Sequence, residues 1–219
     1  MRRWLPGLGR GLAVLACLAL GACAAALQLA RPDPPRLYEL TPPSAFAAGL
    51  PAVAARLAVE VPTATAGLNN ARIALRPTPT TLEYYARASW IDVVPVMVQN
   101  LVLESLDNAG RIDVIGREVV GVRADYALLT HVREFQAEYD DQGAPKIRVR
   151  LQARLVRLPR RTSLAATSEE FVVRASDTSL PAIVNAFDDA LGKALKRLVE
   201  WTVIQAAAAQ SGPGETQPM

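Results

Sequence analysis

From Ile147 to Leu155 every odd position is apolar (Ile147, Val149, Leu151, Ala153, Leu155), and every even one is polar (Arg148, Arg150, Gln152, Arg154). Only extended backbone, which sends successive side chains to opposite faces, turns that alternation into one apolar side and one wet side. A sheet with one buried and one wet, basic face is antiparallel behaviour. Upstream, Tyr126, Leu128, Thr130 and Val132 alternate in one phase, and Phe135, Ala137 and Tyr139 in the other. The slip near Arg133-Glu134 predicts a bulge or a bend. Asp140-Asp141-Gln142-Gly143 and Pro159-Arg160-Arg161-Thr162 read as turns, so these strands and one near Ala165–Arg174 form a three-strand meander.

Two helical periodicities flank this pattern. Val94, Met97, Val98, Leu101, Val102 and Leu106 recur at three- and four-residue spacing, with Gln99, Asn100 and Glu104 on the other side. Asp92 can cap this helix, Pro95 suits its first turn, and Gly110 suits a left-handed end. A longer stripe (Leu180, Ile183, Val184, Phe187, Leu191, Leu195, Leu198, Thr202) predicts a helix from about Leu180 to Gln205, capped by Ser179 and opened by Pro181. Before them, Leu37–Leu40, Leu57/Val59/Val61, Ile73/Leu75 and Leu82–Tyr85 read as four short strands, punctuated by Pro62, Gly67, Asn69-Asn70, Pro77 and Pro79. The predicted fold class is α+β: one domain, a mostly antiparallel twisted sheet with two amphipathic helices packed on one face.

The N-terminus carries a different message. Arg2, Arg3 and Arg10 precede an uncharged apolar run that closes on Leu20-Gly21-Ala22-Cys23, the layout of a secretory signal. A cysteine directly after small residues resembles the lipobox of bacterial lipoproteins, in which the thiol takes a diacylglycerol and the new amino group is acylated. Cys23 is the predicted lipidation site. Val14-Leu15-Ala16-Cys17 is a weaker match that leaves a short apolar core. An uncleaved anchor over Gly11–Ala30 is the other reading, weakened by its Ala and Gly content. Ala24 follows the cysteine where an Asp often retains bacterial lipoproteins in the inner membrane, so the outer membrane, facing the periplasm, is expected. The domain boundaries that follow are 1–22 for the signal, 23–36 for the acylated cysteine and a proline-rich tether, 37–205 for the α+β domain and 206–219 for a disordered tail.

The chain has 24 Lys+Arg against 21 Asp+Glu, but the leader holds three arginines and no acid. The mature domain is formally neutral, which gives no argument for nucleic acid. Both cysteines, Cys17 and Cys23, lie in or at the end of the leader. No disulfide can form within the domain, and no thiol is left for catalysis or metal binding.

No catalytic constellation stands out. His131 is the only histidine and fits an ordinary sheet position, so metal sites and relays lack a second member. Asp140-Asp141 suits a turn better than a cation, Asp188-Asp189 falls on the polar side of the last helix, and no phosphate loop or nucleophile elbow occurs. Two groups invite a partner as well as a structural explanation. Arg148 and Arg150, with Arg154, are either a solvated strand face or a contact for an acidic partner or lipid headgroups. Tyr84, Tyr85 and Trp90 are either core packing or a partner-binding or subunit-binding patch.

The lipobox at Cys23, Arg36-Leu37-Tyr38-Glu39-Leu40, Leu82-Glu83-Tyr84-Tyr85 with Trp90 and Pro95, Gly110, Asp125-Tyr126-Ala127-Leu128, the strand Ile147–Leu158 and a final helix closing at Trp201 together resemble the ABC-type transport auxiliary lipoproteins, the PqiC-like family. The resemblance covers nearly all of 23–204. It implies a non-enzymatic, cofactor-free, periplasm-facing accessory of an ABC permease and ATPase whose partner is an MCE-domain (MlaD/PqiB-like) protein moving lipids between membranes. The lipoprotein would dock that assembly at the outer membrane. A homo-oligomeric ring is among the assemblies the resemblance allows, and the residues do not decide it for this chain. A lipid carrier holding an acyl chain between sheet and helices, and a purely structural envelope lipoprotein, are the competing readings.

Overall fold

The structure, a computed structural model, describes residues 34–116, 123–140 and 143–211. Cys23, the leader and most of the tether lie outside these residues, as do Asp141 and 212–219.

Everything is organised around β7 (Tyr126–Glu138). One of its edges pairs antiparallel along its whole length with β8 (Lys146–Arg157), whose far edge pairs antiparallel with β9 (Thr162–Arg174). The other edge of β7 is tiled in succession by three shorter parallel strands: β2 (Val53–Val59), β3 (Thr63–Ala64) and β4 (Arg72–Thr78). β2 then takes β6 (Ile112–Gly116) in parallel, while β4 takes β5 (Thr81–Trp90) antiparallel and β5 takes β1 (Arg36–Tyr38) in parallel. The long pairings are antiparallel and the parallel ones short, so the expected mostly antiparallel α+β fold is what the chain adopts. The phase slip in the sequence has its counterpart: the β7–β8 register shifts between Val132 and Glu134. With that one extra residue, Phe135 and Ala137 rejoin Leu128 and Val132 on the buried side.

Helix α1 (Val94–Ala109) and helix α2 (Leu180–Ser211) cover the apolar face. Ile183, Phe187, Leu191, Leu195 and Leu198 of α2 are fully buried with Ile147, Val149, Leu151 and Leu155 of β8 in one core. At about 1.5–3 kcal/mol for each large side chain, that stripe fixes α2 to the sheet. Ser179 caps α2 as expected, its Oγ accepting from the Ala182 N–H at 3.4 Å.

Three expectations need correction. Asp92 does not cap α1: the N-cap residue is Val93, without a side-chain cap. Asp92 Oδ1 instead accepts from the Val93 N–H at 2.7 Å, and the Asn70 carbonyl accepts from the Val94 N–H at 3.1 Å. Gln99 is not on a polar face; it is buried, and its Nε2 donates to the Val59 carbonyl at 2.8 Å while its Oε1 finds no partner among the described residues. The last helix does not stop at Gln205. It runs to Ser211, because Ala206 still packs in the core and Arg157 donates to the Ala209 carbonyl at 2.8 Å. Residues 206–211 are therefore helix rather than tail. Gly110 ends α1 at φ 58, the left-handed conformation that an unbranched backbone tolerates without strain.

Candidate functional site

The sheet face turned away from the helices carries the charged residues. Cross-strand register lines up Glu134, Arg150 and Glu170 in one row, and Gln136, Arg148 and Val172 in the next. Arg150 donates to Glu134 at 2.8 Å, and Arg148 Nε to both Glu138 oxygens at 3.0 Å. Arg148 Nη1 also reaches Glu170. Gln136 ties the row together, donating to Glu134 at 2.8 Å and to Glu138 at 3.0 Å. Arg76 of β4 adds a second cation 3.8 Å from Glu134. Burial acts to raise the Glu134 carboxyl, but hydrogen bonds from Gln136 and Arg150 and the charges of Arg76 and Arg150 hold it below the ordinary carboxylate range. The Glu138 hydrogen bond, with a smaller contribution from Glu170, raises Arg148 above the usual guanidinium range against the cost of burial.

Arg148 and Arg150 are therefore neutralised within the domain rather than forming a bare basic stripe. The sequence reading missed Glu134, Glu138 and Glu170, although Glu134 and Glu138 sit at even positions of a strand whose phase it had assigned. Arg154 differs from its neighbours: it makes no ion pair among the described residues. It lines a shallow depression of about 440 Å³ with Thr63, His131 and Gln152. His131 Nδ1 is 2.8 Å from Thr63 Oγ1, so the lone imidazole holds β3 against β7.

The aromatic residues do not form one patch. Trp90 is 1 % exposed and packs edge-on against Phe187 at 5.1 Å and against Phe135 at 5.6 Å, between sheet and helix. Tyr84 is half-buried, its hydroxyl donating to the Gly67 carbonyl at 2.9 Å while the Arg72 guanidinium sits 3.7 Å above its ring. A Cβ on Gly67 would come within 2.5 Å of Leu82, so only glycine fits this turn without displacing that side chain. Tyr85 meets the Tyr139 hydroxyl at 2.9 Å. Burial first, and then that hydrogen bond, pushes the Tyr85 phenol far above its ordinary value.

Asp188, Asp189 and Asp140 are also occupied. Asp188 accepts from the Thr41 N–H at 2.7 Å and from its hydroxyl at 2.9 Å, while Asp189 pairs with Lys193 at 2.8 Å. Asp140 pairs with Lys146 and Arg174 at 3.0 and 2.7 Å. Among the described residues no helix is long and apolar enough to cross a membrane.

Comparison with known proteins gives this arrangement a context. A crystal structure of a Xanthomonas campestris protein superimposes with a TM-score of 0.75 at 28% identity, covering 80% of this chain and 98% of that one. A second crystal structure, of an uncharacterized protein, shares the fold at a TM-score of 0.56 and 12% identity, covering 82% of this chain and 100% of the other. An uncharacterized protein of Bradyrhizobium diazoefficiens is 29% identical over 170 residues, 76% of this chain. The chain spans 44% of that relative's length. Residues 38–199 match the family described as the ABC-type transport auxiliary lipoprotein component. With the match running from β1 into α2, this chain belongs to the ABC-type transport auxiliary lipoproteins.

Proposed function

We propose that this chain is an outer-membrane, periplasm-facing lipoprotein that docks the MCE-domain protein of an ABC-type lipid transport system. Acylation at Cys23 would hold it on the membrane, since each buried CH₂ contributes about 0.8 kcal/mol and several acyl chains make attachment effectively permanent. Because β1 already begins at Arg36, one residue before the expected domain start, the spacer is residues 24–35, which reach about 40 Å at most when fully extended. Such a tether keeps the domain near the bilayer and raises its effective concentration for a partner crossing the periplasm.

The observation that favours docking over carriage is the layer between sheet and helix. Trp90, Phe135 and Phe187 meet there at ring-centroid distances of 5.1 to 5.6 Å, occupying the space an acyl chain would need. A docking protein needs a filled core and an accessible surface. Here the half-exposed Tyr84 and the arginine–glutamate ladder through Arg148 and Arg150 are surfaces that a partner can meet.

Crosslinking from native envelopes, followed by capture of this chain, tests the reading. The expected product contains an MCE-domain protein. Phospholipid co-purifying with the chain, with no MCE-domain protein crosslinked, would establish the carrier instead.

A further inference from the structure

Two of the most exposed large apolar side chains in the domain are neighbours. Leu37 is 63% and Ile91 54% exposed. β1 pairs with β5 so that Leu37 lies opposite Ser89 and Tyr38 opposite Trp90, and the Ile91 N–H continues the ladder to the Tyr38 carbonyl at 2.9 Å. Trp90 points into the core, so alternation turns Leu37, Ser89 and Ile91 outward, with Leu37 and Ile91 on one diagonal. Three arginines stand along this edge. Arg72 lies opposite Ser89, on the face of Leu37; Arg87 stands beside Ala88; and Arg36, opposite the buried Ala88, leaves the first position of β1 on the other face. None of the three makes an ion pair among the described residues. Glu39 and Asp92 lie at the same edge, so the local excess is a single positive charge, too little to attract a strongly acidic protein.

An apolar pair with guanidinium groups beside it matches the boundary of a bilayer, where aliphatic side chains enter below the headgroups and arginines reach the phosphates. Chain connectivity supplies the occupant. Leu37 is fourteen residues after Cys23, so an acylated Cys23 keeps this edge within a tether length of lipid more strictly than any other part of the domain. We propose that Leu37 and Ile91, with Arg36, Arg72 and Arg87 beside them, form a membrane-contact edge that seats the domain on the bilayer carrying its anchor. This rests on the lipid-anchored reading above. It goes beyond it by fixing orientation: β1 faces the lipid, and the meander of β7, β8 and β9, several strands away, faces the periplasm.

The mature chain has no thiol besides Cys23, which the acyl group occupies, so a single introduced cysteine reports its own position. The full acylated protein carrying Leu37→Cys, Ile91→Cys or Val172→Cys is labelled with an environment-sensitive fluorophore. It is reconstituted into phosphatidylethanolamine–phosphatidylglycerol vesicles containing a doxyl-labelled lipid. Val172 is 44% exposed and apolar but lies on β9, so it controls for hydrophobicity alone. At least twofold stronger quenching at positions 37 and 91 than at 172 is expected. Equal quenching at all three would mean that the open sheet face lies flat on the lipid, and no quenching at 37 and 91 would mean that the edge stands clear; either overturns the proposal. Mass spectrometry of the same samples keeps the two ideas apart. Unmodified Cys23 defeats the anchor itself, whereas acylated Cys23 without quenching defeats only the contact edge.

Discussion

At the scale of single residues, the aromatic trio decides most. Phe187 is fully buried, within 5.1 Å of both Trp90 and Phe135. It is the only one of the three contributed by a helix, so it is the point at which α2 grips the sheet. Truncation leaves a cavity between two rings that cannot collapse without moving strands β5 and β7. Phe187→Ala should therefore lower unfolding free energy by about 3–5 kcal/mol, read from the denaturant midpoint. A loss below about 1 kcal/mol would mean that the site closes up and that the layer is loosely packed. Sequence periodicity found Phe187, Phe135 and Trp90 separately, as members of a helix stripe, a strand and an aromatic run. It could not find their meeting, because they come from three elements separated by 45 residues or more and no local period links them.

At the scale of elements, the ion-pair ladder behaves as a unit of the sheet. Glu134 accepts from Gln136 and Arg150 and lies beside Arg76, so its folded carboxyl titrates below the usual range of about 4.3. A carboxyl whose folded value is depressed contributes stability that is present above its unfolded value and lost as pH falls through the folded one. At neutral pH, Glu134→Gln should cost about 1–2 kcal/mol, because it strips a charge-assisted hydrogen bond and leaves Arg150 and Arg76 facing each other. The gap between the variant and the parent should narrow as pH falls below about 4. Denaturant midpoints measured from pH 7 to pH 3 check this, and a gap that stays constant across the range would remove Glu134 as the titrating group. The alternation in β8 was legible because a half-buried strand must show period two. The bulge was legible because an extra residue must shift that period. The identity of the carboxylates was not legible, because it depends on register between strands, and one slipped residue would have set Arg150 against a different neighbour. β6 escaped for another reason: Ile112–Gly116 is short and paired in parallel with β2, so its five residues carry too little pattern of their own.

At the scale of the whole molecule, the two ends of the domain are clasped together. The segment leaving β1 hydrogen-bonds to α2 at two points, Thr41 to Asp188 across 147 residues of sequence and the Ala47 N–H to Glu200 across 153. Leu40 and Leu50 bury their side chains at either end of this stretch. β1 is also where the tether arrives, so any pull from an anchored N-terminus passes first to β5 and then, through this clasp, into the helix that closes the core. Both hydrogen-bonded pairs are solvent-exposed, so the clasp adds modestly to global stability. It governs local opening instead, since a strand of three residues frays readily without support. Asp188→Ala should then shift the global unfolding midpoint by no more than about 1 kcal/mol. Amide hydrogen exchange at Thr41 and its neighbours should accelerate by at least tenfold, while amides in β7 and β8 stay protected. If Thr41 kept its protection, the segment would be held by its apolar ends alone, and the load path from anchor to helix would run through β5 rather than through the Asp188 side chain.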